Sequence, residues 1–404
     1  MRMFFVCQRV PFPPDRGDKI TTFNEICHLS SEHELHVFCL GDSDRDLDNV
    51  PGLLRYAKSV TAVPVSKTAS RMRAVIALLT GKSLSVAAFN EARLHAAIRS
   101  KFVELEPDLI IVYSCNVAQY AEHFAQVARI MQFAELDSRK WRQYAERSYI
   151  PLKWIYAIEE RRFFYYERHI AQSFSHALVC TAVEKDEFER LIPGVPVSLV
   201  GNGVDLAYFY PAGRPKRPAS IIFTGVMNYL PNIDAVVWFC REILPIVQSQ
   251  IPEVSFTICG NRPVPAVQRL AKLRGITVTG WVLDTRPYLD EAEVFVAPLR
   301  MARGIQNKVL EALAMGLPCV ASTAAWSGTV VPKGEGIWAT DDAREFAAYV
   351  IRLLQDGELR VSLARKARAA AEANYGWDRH LAQLDRVVTA VTQPHPVPGS
   401  RMSA

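Results

Sequence analysis

The sequence predicts an α/β protein of two doubly wound, parallel-sheet domains. Three observations predict it. Short unbroken apolar runs alternate with longer helical patterns, the alternation occurs twice over, and a stretch without periodicity separates the two series. In the first series "MFFVC", "ELHVFCL", "LIIVYS", "RIMQFAEL" and "ALVCTA" read as buried strands, because a strand covered on both faces is continuously apolar and rich in Val, Ile and Phe. The second series runs "ASIIFTG", "VSFTICG", "ITVTGW", "VFVAPL" and "LPCVAS". Helical spacing fills intervals such as 116–128, 232–249 and 343–355. The break falls at "FYPAGRPKRPAS" (209–220), where three prolines and three basic residues replace any pattern. These signals give domains of 1–205 and 206–376. Residues 377–392 follow the last strand with helical apolar spacing (Leu381, Leu384, Val387, Val388), and 393–404 is expected to be a mobile tail.

Composition narrows the function. A chain of 404 residues, half of them apolar, suits two globular domains rather than one. A net charge of +5 is too mild to argue for nucleic acid. No apolar run reaches the roughly 18–20 residues that cross a bilayer. "MRMFFVCQRVPFPPD" reads as a first strand rather than a signal sequence, which leaves the protein cytoplasmic. The eight cysteines are scattered, mostly inside strand-like runs, and none forms C-x-x-C; they read as core thiols in a reducing compartment. No metal constellation is visible.

In doubly wound sheets, ligands bind beyond the carboxyl ends of the strands. Three strands of the second series end in glycine, at Gly225, Gly260 and Gly280. Each alone is compatible with a simple turn, whereas three on one rim favour a ligand close to the backbone. "VGNGVDL" (200–206) lacks the third glycine and the following helix of a dinucleotide fingerprint, and neither a phosphate-binding P-loop nor G-x-S-x-G occurs. The informative stretch is "ARGIQNKVLEALAMGLPCV" (302–320). It predicts a loop, then a helix from about Lys308 carrying Glu311 one turn on, stopped by Gly316 and Pro318 before a buried strand. Two charges opening a core helix are either a capping pair or one end of a ligand site.

Taken together and in order, "NGVDLAYFYP", "FTGVMNYLPNIDAVVWF", "CGN", "VTGWV", "VFVAPLR" and "GIQNKVLEALAMGLPCV" resemble the donor half of retaining glycosyltransferases of family 4. "RVPFPPDRGDKITTFNEICHLS" is similar to that family's Gly-bearing first loop. "LDSRKWRQYAERS" and "ERRFFYYERHIA" resemble the branch associated with exosortase/PEP-CTERM exopolysaccharide loci. The likeness spans about residues 1–390 and implies the GT-B fold: two facing Rossmann-like domains, a nucleotide-diphosphate sugar in the cleft, and a C-terminal helix crossing back to the first domain. It implies transfer of a sugar to a glycan or polyprenyl-linked acceptor by front-face substitution, without a cofactor or a metal. The implied donor residues are Gly17, Gly225, Gly260, Trp281, Val282, Gly304, Ile305, Gln306, Asn307, Lys308 and Glu311, with Asp18, Lys19 and Asp137 on the acceptor side. Glu311 is expected to accept ribose hydroxyls, and Lys308 to neutralise charge on the departing diphosphate beside the loop amides and the helix dipole. Two departures stand out. The family's E-x7-E begins here with Arg303, either a phosphate-neutralising guanidinium or a solvated loop charge, and the Arg and Lys usual after the first donor strand are replaced by the segment Met227 to Pro231.

Residues 139–169 hold eight basic residues, four glutamates and Trp141, Trp154, Phe163, Phe164, Tyr165 and Tyr166. They read either as an amphipathic helical pair or as a peripheral membrane patch on the inner face of the cytoplasmic membrane, to which 66–83 contributes. Rival functions are a non-hydrolysing nucleotide-sugar epimerase, which requires acid/base groups not seen in the donor motifs, and an inactive scaffold of a polysaccharide locus. A D-x-D pair for Mg²⁺ or Mn²⁺ is absent from the donor half.

Overall fold

The computed structural model describes residues 1–393; the last eleven, and with them the tail expected at the carboxyl terminus, lie outside the described residues. Seven parallel strands form the first sheet: β1 (Arg2–Cys7), β2 (Glu34–Gly41), β3 (Ser59–Pro64), β4 (Leu109–Tyr113), β5 (Ala128–Ala134), β6 (His176–Val179) and β7 (Val197–Leu199), in the order β3-β2-β1-β4-β5-β6-β7. Six form the second: β8 (Ser220–Thr224), β9 (Ser255–Cys259), β10 (Ile276–Gly280), β11 (Val294–Ala297), β12 (Cys319–Ala321) and β13 (Ile337–Ala339), in the order β10-β9-β8-β11-β12-β13. Central strands such as β1, β4, β8 and β11 are buried almost residue for residue, which is why they read as unbroken apolar runs. Each order reverses once, between β1 and β4 and between β8 and β11. Those two points are where an open α/β sheet offers a crevice.

The chain divides into two compact units. One holds Met1–Val179, Glu184–Val200 and the chain from Leu381 onward, the other Cys180–Val183 and Gly201–His380. The helix Trp377–Thr392 ends the described chain, and its Leu384, Val387 and Val388 sit in the core of the first unit beside Phe5, Ile26 and Val37. On the same helix Asp385 meets Nε2 of His28 at 2.8 Å.

One helical expectation fails. Residues 116–128 do not form a helix; a single 3₁₀ turn, Cys115–Tyr120, is followed by irregular chain into β5. Ser114 enters that turn at φ 81°, a left-handed conformation, and the Tyr120 hydroxyl is tied to the Phe89 carbonyl and the Glu91 amide, so tertiary bonds replace helical ones. All eight cysteines are free thiols, seven of them buried.

Candidate functional site

In the second unit the expected donor residues lie on the segments that follow β8, β9, β10 and β11. Gly225 follows β8 and Gly260 follows β9. Their backbones approach so closely that a Cβ on Gly260 would lie 1.7 Å from the Gly225 carbonyl oxygen. Neither position tolerates a side chain, which gives these two strand-end glycines a steric reason, whereas a Cβ on Gly280 would meet nothing within 4 Å.

The loop after β11 leads through Gly304, at φ 60°, to the helix Asn307–Ala314. Gln306 caps that helix in extended geometry without a side-chain bond to its amides. Gln306 Nε2 instead donates to the Arg303 carbonyl at 2.8 Å, which folds the loop 303–306 on itself. Ile305 packs against the unit's core. Asn307 accepts from Asn202 at 3.1 Å, while its own Nδ2 is buried without a partner.

Lys308 sends its ammonium to the end of β8. Nζ donates to Asn232 Oδ1 at 2.5 Å and lies 4.4 Å from the centre of the Phe223 ring. Asn232 is fixed in turn, its Nδ2 donating to the Val226 carbonyl at 2.9 Å. A Cβ on Gly225 would come within 2.8 Å of both Lys308 Nζ and Asn232 Nδ2, so Gly225 also makes room for this charge. Among the described residues no carboxylate lies within ion-pair distance of Lys308, and no donor of the chain bonds the Glu311 carboxylate. The two charges are therefore not a capping pair. Burial pushes Lys308 down to about 7 against the pull of Glu311, and pushes Glu311 up to about 7 against the pull of Lys308. Each side chain is thus held short of the solvation or pairing that its charged form prefers.

Other expected residues are placed differently. Trp281, 62% exposed, and the partly buried Val282 follow the edge strand β10, two strands from β8. In the first unit Gly17 opens the helix Gly17–Leu29. Asp18 lies 2.7 Å from Arg9 and 2.8 Å from Arg16, and against the penalty of burial these arginines hold its carboxyl below the usual range. Lys19 has a side chain only 7% exposed, bonded to Asp46 at 2.9 Å with Asp15 at 3.8 Å, and so ties down the loop after β2. Asp137 starts the helix Asp137–Glu146 and pairs with Lys140 at 3.3 Å.

Three polar residues at the first unit's switch point escaped sequence reasoning. Gln8 follows β1, and Ser114 and Asn116 follow β4. Ser114 donates to Gln8 Oε1 at 3.2 Å, Asn116 Nδ2 bonds Ser114 Oγ at 3.3 Å, and Asn116 Oδ1 is buried without a partner. The only available signal was a polar residue directly after each apolar run. Asn232 was missed too, being 76 positions from the lysine it holds.

Of the aromatics in 139–169, Phe163 is fully buried, Phe164 and Tyr166 pack on the first unit's core, and Trp141 meets Tyr144 edge-on and Tyr156 at a tilt. The segment is a packed pair of helices, Asp137–Glu146 and Leu152–Ser173, and only part of it faces outward. Among the described residues no helix is long and apolar enough to cross a membrane.

Comparison with known proteins agrees with this architecture. Sucrose-phosphate synthase from Thermosynechococcus elongatus superposes with a TM-score of 0.73 over 97% of this chain and 99% of its own, at 16% identity, which speaks for the fold alone. The amylovoran biosynthesis glycosyltransferase AmsK of Erwinia amylovora is 31% identical over 180 residues, covering 41% of this chain and 43% of its own. The UDP-Gal:alpha-D-GlcNAc-diphosphoundecaprenol alpha-1,3-galactosyltransferase of Escherichia coli is 27% identical over 164 residues, 36% of this chain and 42% of its own. This chain spans about half the length of the curated relatives it matches, from 42% to 58%. On a two-sheet fold of the GT-B type, residues 218–356 match the family of glycosyl transferases group 1.

Proposed function

We propose that this protein is a retaining glycosyltransferase that moves a sugar from a nucleotide-diphosphate sugar to a glycan or polyprenyl-linked acceptor in exopolysaccharide biosynthesis. One observation carries the reading. A lysine held by an amide and an aromatic face, and a carboxylate with no donor among the described residues, stand together at a switch point where Gly225 leaves room for the ammonium. Such a pair suits a ligand that is anionic at one end and rich in hydroxyls at the other. Lys308 and the uncapped start of its helix receive the diphosphate, whose charge grows as the sugar leaves, and Glu311 accepts the ribose hydroxyls. Arg303, at the mouth of the same loop, adds positive charge. The names of the relatives, one making amylovoran and one acting on a diphosphoundecaprenol-linked sugar, support the polysaccharide setting and a lipid-linked acceptor at the inner face of the cytoplasmic membrane.

The reading is tested by titrating nucleoside diphosphates into the wild type and Glu311→Gln in a calorimeter. Binding by the wild type with a clear loss in the variant supports it; equal binding, or none by either, overturns it. Because protein groups carry the diphosphate charge in this scheme, transfer is expected to persist in EDTA. Complete loss on chelation, restored by Mn²⁺, contradicts it.

A further inference from the structure

We propose that the helix Lys67–Thr80 is a membrane-docking element whose partner is the surface of an anionic bilayer. The inference deepens the acceptor side of the proposed function and rests on a different part of the molecule. Along this helix Met72 (60% exposed), Val75 (61%), Ile76 (52%) and Leu79 (83%) recur at the i, i+3, i+4, i+7 spacing of one face. The opposite side is the one that packs, through the buried Ala77. A surface leucine in isolation needs no explanation, but four large apolar side chains forming one continuous stripe do.

Charge selects the occupant. The segment 66–83 holds Lys67, Arg71, Arg73 and Lys82 and no carboxylate. Arg73 is turned inward and bonded to Glu91, but Lys67, Arg71 and Lys82 have no ion-pair partner among the described residues. Lys67 and Arg71 continue the line of Val75 at four-residue steps, so unpaired cations flank the apolar stripe. A protein interface of this composition would have to desolvate those cations, whereas a bilayer of acidic lipids takes apolar side chains between its head groups and cations against its phosphates.

A second helix repeats the pattern. Leu152–Ser173 is fastened to the end of the first by Arg162, which donates to the Ala77, Leu78 and Lys82 carbonyls, and by Glu159, which accepts from Ser83 and the amides of Leu84 and Ser85. Its outward side shows Trp154 (61%), Ile158 (40%) and Tyr165 (59%), with Arg161 over the Tyr165 ring. Tyr149 and Ile150 precede it, 91% and 62% exposed. Indole and phenol rings beside unpaired cations are the side chains that settle at head-group depth.

The test is flotation of the full chain with vesicles of phosphatidylcholine alone or mixed with phosphatidylglycerol. Three variants are compared with wild type: Ile76→Glu/Leu79→Glu, Lys67→Gln/Arg71→Gln, and Trp154→Ala. Wild type is expected to float with the mixed vesicles only, and less so as salt rises. The double glutamate variant is expected to lose flotation altogether, and the glutamine variant to weaken by roughly fivefold for each cation neutralised. All three keep nucleoside diphosphate binding, which separates this inference from the donor site. Absence of flotation by wild type, or equal flotation by the glutamate variant, overturns it. So does a wild-type dimer in solution that the same variant converts to monomer, since the stripe would then belong to a second copy.

Discussion

The two units treat charge at their strand ends in opposite ways. In the first, Arg9 bridges Asp18 and Asp42, Arg16 adds to Asp18, and Lys19 is enclosed by Asp46 and Asp15. Every charge of that cluster is answered by another within the chain, and together they pin the loops after β1 and β2 to the start of the helix Gly17–Leu29. In the second, Lys308 has an amide oxygen and a ring face, and Glu311 has no donor among the described residues. Folding gains little from those two groups as they stand, since each is partly removed from water without an ionic partner in hydrogen-bonding contact. A closed charge network maintains shape, and under the proposed function the open one is complementary to a ligand from outside the chain.

The largest expected effect follows from Lys308→Ala. If the lysine meets charge that grows in the transition state, turnover should fall by roughly 10²–10³ while donor affinity changes much less. Steady-state kinetics check this, and a change confined to KM would place Lys308 in simple binding. Glu311→Gln comes next. It keeps the volume and weakens an acceptor, so donor affinity should fall by about 1–3 kcal/mol. The nucleoside diphosphate without its sugar should lose as much, because the proposed contact is to ribose. Neither variant should unfold, and a lower melting temperature in either would make the pair structural.

Lys19→Met inverts the result. It leaves Asp46 and Asp15 without their cation in the closed cluster, with both carboxylates able to relax toward water, so stability should fall by about 1–2 kcal/mol. Nucleoside diphosphate binding should stay at the wild-type value. Thermal melting and calorimetry on the same sample separate the two, and lost binding with unchanged melting would place Lys19 at the nucleotide instead.

The sequence was most legible where the relevant interactions are local. The loop, the helix start, the spacing of Lys308 and Glu311 and the stop at Gly316 are all set within a dozen residues, and the central strands announce themselves because both faces are buried. β3, β7 and β13 were not seen. Residues in "SVTAVP" and "VSL" are mostly only partly buried, and each run is short, so no continuous apolar signal exists. The 116–128 segment has helical spacing but is bound sideways through Tyr120, a contact with residues about thirty positions away. Asn232 under Lys308, Asp46 over Lys19, and the Gln8–Ser114–Asn116 chain are long-range meetings that no window of sequence contains. The aromatics of 139–169 misled in another way. Their composition suits both a core and a membrane surface, and only packing shows which rings face outward.

The smallest effect, and the sharpest on the comparison, is the pH dependence of the open pair. Glu311 is raised to about 7 by burial, so its share of stability is present below the usual carboxylate range and is lost as pH rises through about 7. Lys308 is lowered to about 7 by burial, so its share is present above the usual lysine range and is lost as pH falls through about 7. Both contributions are therefore compromised near neutrality in the empty protein. A nucleoside diphosphate needs the opposite of what folding alone prefers, a charged lysine and an ionised carboxylate. Its affinity should pass through a maximum near about pH 7, declining on the acid side as Glu311 takes a proton and on the alkaline side as Lys308 gives one up. The terminal phosphate also titrates, near about 6, so the variants supply the control. Glu311→Gln should flatten the acid limb down to what the phosphate itself contributes and leave the alkaline limb in place, while Lys308→Ala should do the reverse. The closed cluster predicts no such behaviour, because Asp18 is held below the usual range by its arginines, and its contribution is lost only as pH falls well below neutral. Calorimetric affinities measured from about pH 5.5 to 8.5 decide it: limbs that survive in both variants mean the pair is not what the nucleotide meets.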